Sequence, residues 1–281
     1  MAQSLFITST DTGVGKTFIA CRLAEAVREA GLTVGVLKPF SAGDWDDARA
    51  LVRAAGGHGT PQEASLLYCP RPVAPGAQIG LGARGRTIVE RVFSKTTKAL
   101  RTLQKKHDCA VVEGCGGVLV PLGGPYFVAD LMARLNVPIW VVARAGLGTI
   151  NHTLLTLEAL KGRGLDVQRV LLSNPSGRDL SEKTNADLIR RLSGRPVTEI
   201  PRSVTPAAKK IARQILWKAF QSDFVTTQLP HPPLRGLRVP MAHDCNGPNR
   251  PRARRGFPQE GKENKDFPSP LGRGQGEGPE Q

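Results

Sequence analysis

Three short stretches hold residues whose types and spacing suit work on a phosphate. In 9-STDTGVGKT-17 a glycine-rich turn runs into GKT; in 36-VLKPFSAGDWDD-47 a lysine ends an apolar run and aspartates follow. In 109-CAVVEGCGG-117 a glutamate ends another apolar run before a glycine loop. A glycine-rich strand-to-helix turn ending in GK[ST] turns its N–H groups toward phosphate oxygens, aided by the positive end of the helix. Thr12, Gly13, Val14 and Gly15 would form that cradle, with Lys16 on the outer phosphates of ATP and the Thr17 hydroxyl on Mg²⁺. The loop is a variant, because Thr10 stands where the common GxxxxGK[ST] form begins with glycine.

A magnesium nucleotide needs carboxylates near Thr17, usually from the end of another strand. Glu113 meets that need, since a charged residue closing a buried strand suits metal ligation better than a surface cap. Of Asp46 and Asp47, one suits a helix cap and the other could reach the metal. Cys115 has no evident histidine partner, so it reads as a small residue near a phosphate, not a nucleophile. Lys38 is the informative residue. Phosphate transfer to a hydroxyl often uses a carboxylate base, whereas a second lysine suits an acceptor that is already anionic. Two like charges about 4 Å apart repel by roughly 1 kcal/mol in water and about 4 kcal/mol at an effective dielectric of 20, so a lysine between them matters in a closed site.

The elements that must position these residues follow from apolar periodicity. Residues 4–9, 33–39, 109–114, 138–143 and 168–174 read as strands, nearly continuous in Val, Leu and Ile. Residues 16–30, 46–55, 86–106, 126–135, 150–162, 181–192 and 206–221 read as helices. This alternation predicts an α/β, P-loop NTPase-type three-layer fold with a mostly parallel central sheet flanked by helices. Such sheets bind ligands beyond the carboxyl ends of their strands, where all three stretches fall. The expected domain is 1–228. Residues 229–281, rich in Pro, Gly and charge without apolar periodicity, read as a disordered tail.

The net charge of +15 suits a nucleic-acid partner, small polyanions or simply a solvated basic surface. Basic residues in 98-KALRTLQKKH-107, 190-RRLSGR-195 and 209-KKIAR-213 alternate with apolar ones as on exposed helix faces. With no aromatic-interleaved basic stripe, nucleic acid is not the expected partner, although 250-RPRARR-255 keeps a minor case open. No apolar run approaches the roughly 18 residues of a membrane span. The start MAQSLFITS lacks the features of a signal peptide, and the five cysteines lack CxxC spacing. The expectation is a cytoplasmic protein.

In order along the chain, 10-TDTGVGKT-17, 38-KPFSAG-43, 47-DA-48, 112-VEGCGG-117, 147-LGTINHTLLT-156, 173-SN-174 and 199-EIP-201 resemble the motifs of the dethiobiotin synthetase family. The resemblance covers roughly residues 4 to 202. It implies a homodimer that carboxylates diaminopelargonate with CO₂ and ATP, closing the ring of dethiobiotin. It also implies that Thr17, Asp47 and Glu113 ligate Mg²⁺ and that residues 12–17, with Gly114, Cys115 and Gly116, surround the phosphates. Asn174, Pro175 and Pro201 would meet the adenine. Lys38, Ser41, Ala42 and the helix start Gly148, Thr149, Ile150 and Asn151 would take the substrate, the carboxylate site being completed across the dimer interface.

Departures from the family pattern are local. Ala42 replaces the usual Ser or Thr, and alternation along an extended chain turns the neighbouring Ser41 the other way. Ser9 stands in place of a glycine, and 74-APG-76 lacks the family's histidine. Rival readings are an amide synthase, for whose glutaminase domain too few residues follow Pro201, and a partitioning-type ATPase. The latter carries an early lysine in its loop where this chain has Asp11 and Thr12. A non-catalytic nucleotide-binding module is the third.

Overall fold

The computed structural model describes residues 2–173, 175, 177–201 and 205–226, with side chains as far as residue 224. Asn174 and the expected tail 229–281 lie outside the described residues. The chain runs β1 (Gln3–Ser9), α1 (Lys16–Glu29), β2 (Val34–Leu37), β3 (Phe40–Ala42), α2 (Asp46–Ala54), α3 (Pro61–Ala64), β4 (Leu67–Cys69), α4 (Pro75–Ile79) and α5 (Ala83–Lys106). It continues through β5 (Cys109–Glu113), β6 (Pro121–Gly123), β7 (Tyr126–Phe127), α6 (Val128–Leu135), β8 (Ile139–Arg144), α7 (Thr149–Lys161), β9 (Val167–Ser173), α8 (Glu182–Ser193), β10 (Val197–Ile200) and α9 (Pro206–Thr226).

Six strands pair in the order β10-β9-β8-β1-β5-β2, every pairing parallel. Alternate strand residues feed opposite faces, as a pleat requires. Leu5, Ile7, Val111, Trp140 and Val142 pack under α1, α2 and α9, while Phe6, Val112, Ile139 and Val141 pack under α5 and α6. Sheet and helices thus form three layers. The five strands expected from apolar runs are all present. The sixth, β10, escapes that reading because it is an edge strand, V-T-E-I, with only its ends buried.

The sheet order places the site. From β1 the chain moves one way to β2 and later the other way to β8, so β1 lies at the switch point where such sheets open a crevice. Ile7 pairs with Glu113, and Leu37 with Val112. The residues just beyond β1 and β2 therefore flank the end of β5.

One buried polar contact ties α9 to the sheet. Trp140 Nε1 donates to Asp223 Oδ2 at 2.7 Å, Arg169 Nε donates to the same oxygen at 2.9 Å, and a second Arg169 nitrogen pairs with Asp223 Oδ1. Removing one partner leaves a buried charge uncompensated, which costs about 3–5 kcal/mol. Asp223→Ala is therefore expected to lose stability on that scale in urea unfolding; a loss under about 1 kcal/mol, typical of exposed pairs, would mean that the ion pair is effectively solvated.

Candidate active site

The phosphate loop needs backbone that only glycine adopts readily: Gly13 has φ 76° and Gly15, which precedes the first turn of α1, has φ 108°. Lys16 and Thr17 then open α1, so Thr17 faces the neighbouring strand ends. Its Oγ1 lies 2.8 Å from Asp47 Oδ1 and 2.8 Å from Glu113 Oε1. Lys38 Nζ lies 2.7 Å from Asp47 Oδ2 and 2.8 Å from Glu113 Oε1. A hydroxyl, an ammonium and two carboxylates from four separate elements thus meet at one point.

Burial makes this cluster a strong electrostatic unit. Glu113 is 0% exposed, Lys38 4% and Lys16 7%. Burial alone would push the Lys38 ammonium down, but Glu113 and Asp47 outweigh it and hold the group above the ordinary lysine range. Burial likewise opposes ionisation of Asp47, yet Lys38 and the Thr17 hydroxyl hold its carboxyl below the usual value. Burial lowers Lys16, only partly opposed by Glu113. Desolvation pushes the Cys115 thiol up to about 11 despite both lysines, which agrees with an inert small residue. Glu113 Oε2 is buried and has no hydrogen-bond partner among the described residues. A carboxylate with a spare oxygen, next to a hydroxyl and a second carboxylate, is the donor set that a hard divalent cation takes.

A cleft of about 520 Å³ opens above the cluster. Lys16, Thr17, Lys38 and Asp47 form its charged side, and Phe40, Ala42, Pro72 and Val73 its apolar side. The apolar side is hung on the small parallel pair β3–β4, in which Ala42 faces Cys69. Trp45 stacks on Tyr68 at 4.6 Å, and the Tyr68 hydroxyl donates to Gly43 O at 3.0 Å, fixing the turn that delivers Asp47. The sequence reading missed this support, because Trp45 lies within the motif but its partner Tyr68 comes more than twenty residues later.

Thr12, Gly13, Cys115 and Gly116 also line the cleft, while Val14 packs against the core below it. Gly114 continues the strand, its N–H donating to Ile7 O at 3.0 Å. Ser41 is buried and turned away, its hydroxyl accepting from Ser65 Oγ at 2.9 Å, as alternation required. Neither aspartate of the pair caps α2 in the manner expected. Both sit within the first turn; Asp44 Oδ1 accepts the Asp46 N–H at 2.9 Å, and Asp46 pairs with the exposed Arg49.

Gly148, Thr149, Ile150 and Asn151 do not line this cleft. Gly148 has φ 87° and precedes α7, Thr149 is buried, Ile150 is half-buried and Asn151 is exposed. Pro175 and Pro201 follow β9 and β10, whose ends Ser173 and Ile200 are paired.

A parallel sheet with a glycine-rich phosphate loop after its central strand, and a buried glutamate at the end of the next, defines a P-loop ATPase. An AAA-domain family model matches residues 3–204. The fold is similar to that of the septum site-determining protein MinD of Pyrococcus horikoshii, a structure with Mg-ADP: TM-score 0.50, 14% identity, 79% of this chain and 96% of that one. More specifically, the chain is 38% identical over 203 residues to the ATP-dependent dethiobiotin synthetase BioD of Endomicrobium trichonymphae, covering 71% of this chain and 93% of the relative. It is 43% identical over 218 residues to the enzyme of that name from Anaeromyxobacter dehalogenans, covering 75% and 93%. The chain belongs to the dethiobiotin synthetase family.

The lowered Asp47 carboxyl has a pH consequence. A depressed acid contributes stability above its unfolded value, about 3.9, and loses it as pH falls through the folded one. The stability advantage of the wild type over Asp47→Asn is expected to be level above about pH 5 and to vanish on further acidification. Because Asp47 is half-exposed, the advantage is on the order of 1 kcal/mol or less. Denaturant unfolding of both proteins from pH 7 downward measures it, and an advantage that grew toward acid would reverse the sign assigned to the pair.

Proposed function

We propose that the chain converts 7,8-diaminononanoate, CO₂ and ATP to dethiobiotin, ADP and phosphate. One amine takes up CO₂ as a carbamate. A carbamate oxygen attacks the γ-phosphorus and ADP leaves; the second amine then attacks the carbonyl carbon of the mixed anhydride, expelling phosphate and closing the ring. The observation that carries this reading is Lys38, a buried ammonium beside the phosphate loop in a chain of this family. Its charge suits an anionic nucleophile that must approach an anionic phosphate. No carboxylate base is required for such a nucleophile.

Thr17, Asp47 and Glu113 would hold Mg²⁺, a role supported by the unpartnered Glu113 oxygen; the ion would supply positive charge to the outer phosphates. Lys16 would bind those phosphates from the loop, and Phe40, Pro72 and Val73 would exclude water around the aliphatic chain. Asn174, Pro175 and Pro201 would border the adenine, beyond the two strands at one side of the sheet. Gly148 to Asn151 would take the substrate carboxylate in the cleft of a second copy. Leu147 (77%) and Leu155 (60%), next to and on α7, are exposed beside this helix start. The expected setting is the cytoplasm.

The test is phosphate release from MgATP with and without the diamine and bicarbonate, with dethiobiotin measured by mass. Release is expected to need both additions and to accompany dethiobiotin; release indifferent to both would sink the proposal. Lys38→Ala is expected to lower turnover by roughly 100- to 1000-fold while leaving ATP binding largely intact, and unchanged turnover would remove Lys38 from the chemistry.

A further inference from the structure

Ser9, the last residue of β1, occupies the position where the family motif carries glycine. Its side chain is fully buried beneath the phosphate loop. Lys16 Nζ donates to Ser9 Oγ at 3.0 Å. That hydroxyl is itself fixed, lying 2.6 Å from Asp11 O and 3.0 Å from Gly116 O, so its proton goes to one carbonyl while its lone pairs face Lys16. Among the described residues no carboxylate comes within ion-pair distance of Lys16; the acids of the site are taken by Lys38 and Thr17. A glycine at position 9 would offer the buried ammonium no side-chain acceptor.

We infer that Ser9 is a positioning residue for Lys16: its hydroxyl, fixed by a backbone carbonyl, accepts one ammonium N–H and leaves the other two to face the cleft. An ammonium has three donors, so the contact is compatible with simultaneous binding of phosphate oxygens. Setting the ammonium before the nucleotide arrives removes part of the ordering cost of binding. The Ser9 hydroxyl lies between the two loops that border the phosphates, within reach of a carbonyl of each. The inference rests on the proposed nucleotide site but not on the carboxylation chemistry.

Calorimetric titration of MgATP into wild type, Ser9→Gly, Lys16→Met and the double variant tests it. Ser9→Gly is expected to weaken ATP binding roughly ten- to a hundredfold, the value of one hydrogen bond to a charged group. Ser9→Thr, which keeps the hydroxyl, is expected to stay near wild type. In the Lys16→Met background the glycine change is expected to have no further effect, because contacting residues act through one another. Ser9→Ala replaces the glycine variant should thermal unfolding show the latter misfolded. Binding by Ser9→Gly within about twofold of wild type, or an equal loss with and without Lys16, would overturn the assignment; the second result would leave Ser9 as loop packing only. A wild type that binds no ATP overturns the nucleotide site and this inference together. Binding of ATP without formation of dethiobiotin overturns the reaction alone.

Discussion

Everything at the carboxyl end of the sheet depends on Glu113, a carboxyl group with no exposure to water. A lone buried carboxylate is costly enough that it normally protonates. Here Lys38 and Thr17 stand against it, and Glu113 together with Asp47 holds the lysine in its charged form in return. Each charge offsets part of the burial cost of the other, which requires α1, the end of β2, α2 and β5 to arrive in one arrangement. Such a pair is weak evidence for stability but strong evidence for a geometry that cannot drift.

That requirement explains the less conspicuous parts of the architecture. The short β3–β4 pair forms a sheet of its own, packed through Phe40 and Leu67 onto the core, and carries the Trp45–Tyr68 stack. Their effect is to hold the chain between Lys38 and Asp47, so that Asp47 and Glu113 both meet Lys38 and Thr17. The Ser65–Ser41 hydrogen bond turns Ser41 inward and leaves Ala42 on the cleft. The wall next to Lys38 is therefore apolar where the family motif places a hydroxyl.

Much of this was legible in the residues. Strands buried on both faces announce themselves as apolar runs, and the polar residue that ends each run marks the ligand side of the sheet. Lys38 and Glu113 could be assigned to the site on that basis alone. β10 was not legible, because an edge strand buries only part of itself and Thr198 and Glu199 break the run. Nor was the helix start: Asp44, not Asp46, meets the first free N–H of α2, since the turn before Trp45 is set by tertiary contacts and not by cap preference. The Arg169–Asp223–Trp140 contact joins residues 54 and 83 positions apart, a separation at which local periodicity is silent. Ser9 was visible as a departure from a pattern, but its bond to Lys16 depends on how the loop folds back.

The sequence separations within the charge cluster also constrain how the chain reaches its native state. Thr17 meets Asp47 across 30 residues, whereas Lys38 meets Glu113 across 75 and Thr17 meets Glu113 across 96. During synthesis the phosphate loop and Lys38 emerge well before β5 exists, so the early chain holds its cations with only Asp47 to balance them. Non-local parallel pairings are slow to form, and β5 must insert between β1 and β2, not add at an edge. Pairing of that one strand joins β1 to β2 and places Glu113 beside Lys38. The ammonium at the end of β2 thus serves, before any catalysis, as the marker of a correctly filled slot.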